Sequence, residues 1–312
     1  MKSMDIVSRK SNVSGGGTES FADSFTRQQT GTCVQPEGCK RACPGKLVED
    51  TQEIKEAITQ VKELGDEWYT NYYISDGVAK VWISKQQLMM YRHKNVLFIF
   101  RKRNNFSLVY YFASSFDGLV SSIKGLLDST TETLSVDVLQ KNGTECAVGN
   151  AFLKAGFDKR VRLHRMKFDA KIYESCNFDD ICCADVEDAE SVYDMLHSEF
   201  DALCEQIPDL DEIKNAIRNK EIMVVKDNSM LIAFLWIERI RKIAMIRYWL
   251  THPEYRSHNF GAKLMQYVLY ANKDATQVLV WVREDNIRAI KKYEKMGFIN
   301  DILVDDVYCL VR

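Results

Sequence analysis

The residues best suited to chemistry lie between Thr251 and Lys263, in the run Thr-His-Pro-Glu-Tyr-Arg-Ser-His-Asn-Phe-Gly-Ala-Lys. The apolar stretch Ile243 to Leu250 precedes this run, and Leu264, Met265, Val268 and Leu269 follow it at helical spacing. A strand therefore feeds a short loop, and the loop opens a helix. The first backbone N–H groups of such a helix have no partner within it and sit at the positive end of the helix dipole. That arrangement is an anion cradle. Arg256 adds a fixed positive charge at its rim, and Gly261 lets a ligand approach the backbone with no Cβ in the way. Residue chemistry alone makes this a site for a phosphate or pyrophosphate.

A second group follows downstream. Gln277 to Val282 reads as a buried strand, rich in β-branched and aromatic residues. After Arg283-Glu284-Asp285-Asn286, the residues Ile287, Ala289, Ile290, Tyr293 and Met296 recur at helical spacing, and Gly297 stops the helix. Asn286 and Tyr293 are seven positions apart, which places both on one helix face. Tyr293 offers a phenol proton and Asn286 an amide. A half-buried aromatic and a helix N-cap would show the same spacing.

Together the two runs resemble the acyl-CoA signature of the GNAT acyltransferase superfamily, in which Pro-x-x-Arg leads into Arg/Gln-x-x-Gly-x-Gly/Ala. Pro253, Glu254, Tyr255, Arg256 and Gly261 fit the pattern, and Asn259 stands where the first glycine is usual. Asparagine is the residue after glycine most tolerant of a left-handed backbone. The string Asn286-x-x-Ala289-x-x-x-Tyr293-Glu294-Lys295-Met296-Gly297-Phe298 is similar to the closing motif of the same family.

The resemblance implies transfer of an acyl group from acetyl-CoA or another acyl-CoA to a primary amine of a small molecule or peptide. It places the donor against Leu250, Thr251, Arg256, Ser257, His258, Asn259, Phe260, Gly261, Ala262, Asn286 and Ala289. Asn286 would meet the pantetheine arm, and Tyr293 would be the acid for the departing thiolate. The general base is not legible: Glu238, Tyr248 and Glu284 lie near the expected cleft, while His252 and His258 read as loop-surface residues. Two other classes stay open. One is a CoA-binding sensor or scaffold without turnover, which the Asn259 departure permits. The other is a tandem-GNAT transferase using aminoacyl-tRNA, against which the intact loop and the acidic balance count.

A chain of 312 residues has room for two domains, and 46% hydrophobic with 28% charged residues describes a globular protein. The net charge of −2 carries no basic footprint, so nucleic acid is not indicated. No apolar run is long enough to span a bilayer and no hydrophobic signal core follows Met1, so a cytoplasmic protein without membrane attachment is expected. Of nine cysteines, Cys146, Cys176, Cys182, Cys183, Cys204 and Cys309 fall in patterned segments and read as free thiols of a reducing compartment. Residues 1–45 are rich in Ser, Gly, Thr and Gln and read as a flexible head. Within it, Cys33, Cys39 and Cys43 are taken as a cysteine-bearing tail rather than a metal site, since their spacing fits no zinc pattern.

Beyond the head, helices are expected over Glu53–Leu64, Phe116–Leu127 and Val148–Lys154, with strands at Val96–Phe100, Leu108–Ala113, Thr133–Leu139 and Val161–Phe168. A similar order recurs after Cys176: helices at Asp188–Phe200 and Asp211–Asn219, and strands at Glu221–Lys226, Met230–Glu238 and Ile243–Leu250. Phe152-Leu153-Lys154-Ala155-Gly156-Phe157 lies over Tyr293-Glu294-Lys295-Met296-Gly297-Phe298. The expected fold is α/β (α+β): two tandem GNAT-like domains, 46–170 and 171–312, each a twisted mixed sheet flanked by helices. In the first copy Phe152 replaces the tyrosine, Glu145 stands for Asn286, and Asp117 sits where a phosphate would bind. That copy is expected to keep the fold and lose the chemistry.

Overall fold

A computed structural model describes residues 45–168 and 177–312. The head with Cys33, Cys39 and Cys43, and also Cys176, lies outside the described residues. The chain forms two compact units. The first holds the described residues up to Val138, Cys146–Asp158 and Tyr308–Arg312; the second holds Leu139–Glu145 and Lys159–Val307.

The first unit opens with β1 (Lys46–Leu47), α1 (Thr51–Lys62), β2 (Tyr69–Thr70), α2 (Asp76–Ser84), β3 (Leu88–His93), β4 (Val96–Lys102) and β5 (Phe106–Ala113). It continues with α3 (Phe116–Ser129), β6 (Thr133–Lys141) and α4 (Ala147–Lys154). The strands lie in the order β1-β3-β4-β5-β6, with β2 against β5. Both faces of this sheet are covered, which is why β4 and β5 read as unbroken apolar runs. Leu97, Ile99 and Tyr110 face Ile54, Val61 and Trp82 of α1 and α2. The alternate residues Phe98, Phe100 and Tyr111 face Leu119, Ile123 and Phe152 of α3 and α4.

The second unit runs through β7 (Asp158–Phe168), β8 (Ile181–Cys183), α5 (Ala189–Glu199), α6 (Leu210–Arg218), β9 (Ile222–Asp227), β10 (Met230–Ile240) and β11 (Ile243–Thr251). Then come α7 (Phe260–Ala271), β12 (Gln277–Arg283), α8 (Ile287–Lys295) and β13 (Phe298–Leu310), whose last residues belong to the first unit. The order β7-β12-β11-β10-β9-β8 again has helices on both faces. Val224, Phe234 and Trp236 pack on α5 and α6, and Leu235, Ile246 and Val280 on α7 and α8. The mixed α/β fold with a twisted, helix-flanked sheet in each copy is therefore the observed one.

The repeat is visible in matched detail. Gly156 after α4 and Gly297 after α8 both take the left-handed backbone, at φ +96° and +95°. Phe152 packs on Phe157 with ring centroids 5.1 Å apart, and Tyr293 packs on Phe298 at 5.4 Å. The N-cap matching Asn286 is Cys146 rather than Glu145, because α4 begins one residue later relative to its aromatic. Among the other thiols, Cys204 and Cys309 are buried while Cys182 and Cys183 are exposed, so the adjacent pair is not core.

Besides the short strands β1, β2 and β8, three longer elements escape the sequence pattern. Helix α2 carries Gly77 and three β-branched residues, so its propensity is weak; Ser75 caps it. Strand β3 reads as polar at Arg92 and His93. The 13-residue β13 is interrupted by Asp301, Asp305 and Asp306, and two of these acids are matched by bases of β7. Asp301 accepts from Arg165 at 2.6 Å. Asp306, only 2% exposed, meets Lys159 at 2.9 Å and Arg162 at 2.6 Å, with Gln140 donating at 2.5 Å. Burial pushes its carboxyl up, but Arg162 and Lys159 more than offset this and hold it below the ordinary carboxylate value.

A group with a depressed folded pKa stabilises the fold above its unfolded pKa, about 4, and loses that contribution as pH falls through the folded value. Asp306→Asn is therefore expected to lower the thermal midpoint by about 4–8 °C at neutral pH, from a loss of about 2 kcal/mol. The gap to wild type should close below about pH 4. A gap that persists unchanged at pH 3 in thermal melts would show that the carboxylate charge is not what stabilises β13.

Candidate functional site

Strand β11 is held differently on its two sides. Against β10 it pairs from Ile240↔Ile243 to Ala233↔Thr251, with one extra residue, Arg247, bulged between Trp236↔Tyr248 and Ile237↔Ile246. The bulge exchanges faces. Ala244 and Ile246 join the core under α7 and α8, and past the bulge Trp249 keeps that face while Tyr248 and Leu250 turn to α5 and α6. Against β12 the parallel ladder runs only from Ile243↔Gln277 to Ile246↔Val280, although the strands continue to Thr251 and Arg283. The strands part there, leaving a slot between Arg247–Thr251 and Trp281–Arg283.

The slot leads to the loop singled out by sequence. Thr251 is followed by a short turn, Pro253–Tyr255, and then by Asn259 at φ +60°, the left-handed backbone expected of it. Asn259 makes no side-chain cap, and the Lys263 N–H is bound to its carbonyl at 3.0 Å. The amides of Phe260, Gly261 and Ala262 precede that first helical bond and so stay available to an anion. A Cβ on Gly261 would stand 2.7 Å from Thr251 Oγ1 and 3.1 Å from Trp249 Nε1. Glycine is thus required by the packing of α7 on β11, not only by ligand approach. Gly261→Val is expected to displace the first turn of α7 and weaken acetyl-CoA binding at least 100-fold, about 2.7 kcal/mol. Calorimetry showing unchanged affinity would remove this loop from the donor site.

The charge at the rim is arranged in a way spacing does not show. Arg256 donates to the Thr251 carbonyl at 3.2 Å and to Glu199 Oε1, at the end of α5, at 2.5 Å. Its guanidinium is shared with a carboxylate rather than free. Lys292 of α8 lies over the Trp249 ring at 5.6 Å. Burial lowers the pKa of its ammonium, and the charges of Arg288 and Arg256 lower it further. Arg256, Arg288 and Lys292 therefore form one cationic group. The basic face of α8 was the sequence signal for it; Glu199 had none. Ser257 Oγ lies 3.3 Å from His258 Nδ1, and His258 stacks on Phe260. His258 is exposed at the loop surface, whereas His252, 3.9 Å from Glu254, is partly buried with its Nδ1 out of contact with solvent.

Asn286 caps α8, its Oδ1 accepting the Ala289 N–H at 3.1 Å, which leaves both N–H donors of its amide for a ligand. Ala289 packs partly buried on the core that holds Tyr293. Tyr293 is 6% exposed, with Trp249 at 5.5 Å and Phe298 at 5.4 Å. Burial raises its phenol pKa, so it stays protonated, and its hydroxyl makes no hydrogen bond among the described residues. Of the base candidates, Tyr248 donates to the carbonyls of Glu205 and Gln206, Glu238 pairs with Arg247, and Glu284 is 61% exposed beside His164.

The first unit closes the equivalent features with its own residues. Its β5–β6 ladder stops at Leu108↔Ser135, and Asn71 enters the gap. Asn71 Nδ2 donates to the Val109 and Asp137 carbonyls at 3.0 and 2.9 Å, and its Oδ1 accepts the Tyr111 N–H at 2.8 Å. At the start of α3, Ser115 caps Gly118 N at 3.1 Å and Glu67 Oε2 takes the Phe116 N–H at 2.9 Å. The carboxylate standing in an anion's place is Glu67, not Asp117.

A strand pair that parts beside a helix N-terminus is an arrangement able to hold an extended chain that ends in an anion. Residues 189–298 match the model of the Acetyltransferase (GNAT) family, so this part of the chain is a GNAT domain. No curated protein matches the chain in sequence. Among solved structures, the chain is similar to a tandem GNAT protein from the clavulanic acid biosynthesis pathway. The TM-score is 0.55 at 12% identity, over 85% of this chain and 96% of that one. It is also similar to a GNAT-family acetyltransferase from Colwellia psychrerythraea, at TM-score 0.53 and 12% identity, over 86% and 99%. A Drosophila protein gives TM-score 0.53 at 13% identity, over 83% and 96%. At such identities the likeness shows the fold. Among the described residues no helix is long and apolar enough to cross a membrane.

Proposed function

We propose that the second unit is an N-acyltransferase, taking an acyl group, most directly acetyl, from acyl-CoA and passing it to a primary amine of a small molecule or peptide. The observation that carries this reading is the slot between β11 and β12, opening onto the uncapped amides of Phe260–Ala262. An extended arm carrying amide groups can lie in such a slot as an added strand, while a pyrophosphate meets the helix start. Arg256, Arg288 and Lys292 supply positive charge for phosphates. Tyr293, protonated and with no hydrogen-bond partner for its hydroxyl among the described residues, is a donor for a leaving sulfur. In the first unit Asn71 and Glu67 already hold the matching backbone groups, which supports one donor site per chain.

Calorimetry with acetyl-CoA is expected to give one site per chain, and thiol release should follow when a panel of primary amines is added. Two sites, or none, would overturn the assignment. Binding without thiol release for any amine would leave a CoA-binding sensor as the surviving reading.

A further inference from the structure

The loop between α5 and α6 joins the two lips of the slot, and one carboxylate sits at the join. On the β11 side, the Tyr248 hydroxyl donates to the Glu205 carbonyl at 3.3 Å and the Gln206 carbonyl at 3.1 Å. On the β12 side, Arg283 Nη1 stands 3.6 Å from Glu205 Oε2. The same oxygen accepts the Asp201 N–H at 3.0 Å. Gln206 is held at φ +45°, a left-handed backbone that a glutamine adopts only when its surroundings impose it. The Glu205 side chain is 11% exposed, and its Oε1 makes no hydrogen bond among the described residues.

We propose that Glu205 is the group that takes the proton from the acceptor amine, so that the acceptor enters at the end of the slot covered by Asp201–Ile207. This rests on the acyltransferase reading above. The amine lone pair forms a C–N bond at the thioester carbon, and the C–S bond breaks with its electron pair on sulfur. The surplus N–H proton passes to Glu205 Oε1 and then to solvent, and sulfur takes a proton from the Tyr293 hydroxyl or from water.

The other carboxylates near the slot are less suited. Glu238 is paired with Arg247, Glu199 with Arg256, and Glu284 is largely in water. The Tyr248 proton is directed at two carbonyls. Around Glu205 stand Asp201, Cys204, Tyr248 and Arg283. Burial raises the Glu205 pKa more than the Asp201 N–H and Arg283 together lower it, which moves a carboxylate towards the range useful to a base.

The test uses the full chain, acetyl-CoA, and three acceptors: n-butylamine, spermidine and an alanine-led tripeptide. Wild type should show an acid limb in kcat/KM against pH. Glu205→Gln, which keeps the bond from the Asp201 N–H, should lower kcat about 100-fold or more and abolish that limb. Its acetyl-CoA affinity should stay within about twofold, and Glu205→Asp should recover part of the rate. A Gln variant that keeps both rate and acid limb overturns the inference while leaving the transferase reading in place. So does loss of rate through KM alone. Acetyl-CoA binding with no transfer to any of the three amines overturns the transferase reading and this role with it. No acetyl-CoA binding at all sinks the donor site itself.

Discussion

Replacing Tyr293 by phenylalanine is expected to lower turnover by a factor on the order of 10²–10⁴ while acetyl-CoA affinity and thermal midpoint stay close to wild type. The structure sharpens the second half of that expectation. The Tyr293 ring contributes to the core through Trp249 and Phe298, and phenylalanine keeps that ring. The hydroxyl makes no protein hydrogen bond among the described residues, so its removal leaves no partner stranded. A stability loss is therefore not on offer as an explanation for lost rate. Single-turnover acetyl transfer is the decisive measurement, because it separates chemistry from product release. Unchanged single-turnover rates would end the role given to this phenol. Phe152, fully buried in the first unit, already shows that the aromatic alone satisfies the fold at this position.

The other large effect is expected where no chemistry occurs. Asn71→Ala should destabilise the first unit by about 3 kcal/mol or more, since it removes three buried hydrogen bonds to backbone groups, each worth about 1 kcal/mol or more. Those groups are the Val109 and Asp137 carbonyls and the Tyr111 N–H, all inside the gap where the β5–β6 ladder has ended. Denaturant unfolding should show the midpoint of this unit falling well before that of the second, with acetyl-CoA affinity retained. Asn71→Asp is the informative companion. It keeps the acceptor for Tyr111 but sets a carboxylate against two carbonyls, so it should be at least as damaging as alanine. Little change in either variant would mean that the gap is bridged by something other than this amide.

The hydrogen bonds of Asn71 and Glu67 mark where the two copies differ. Both units present a sheet whose strands separate beside a helix start. In the second unit, the amides at the helix start are not capped by the side chain of Asn259. In the other, an asparagine and a glutamate from the segment after α1 supply the same hydrogen bonds from within the chain.

What sequence alone determined about this protein is what depends on neighbours in the chain. The strand–loop–helix order around Arg256, the left-handed backbone of Asn259 and the glycine stops at Gly156 and Gly297 follow from local backbone preference, which the residue type carries with it. The N-cap of Asn286 is local in the same way, reaching only three residues on. The apolar periods gave the helices other than α2 and most of the longer strands, because one buried face imposes a period. Tertiary structure decided everything that rests on residues far apart in sequence. The packing need of Gly261, the sharing of Arg256 with Glu199, the bulge at Arg247 that turns Trp249 towards Tyr293, and the placing of Glu205 between Tyr248 and Arg283 leave no spacing to read. The same holds for β13: its aspartates break the apolar pattern, and only their pairing with the bases of β7 makes a buried strand of it. A charge reads as surface until its partner is known, and that partner is chosen by the fold.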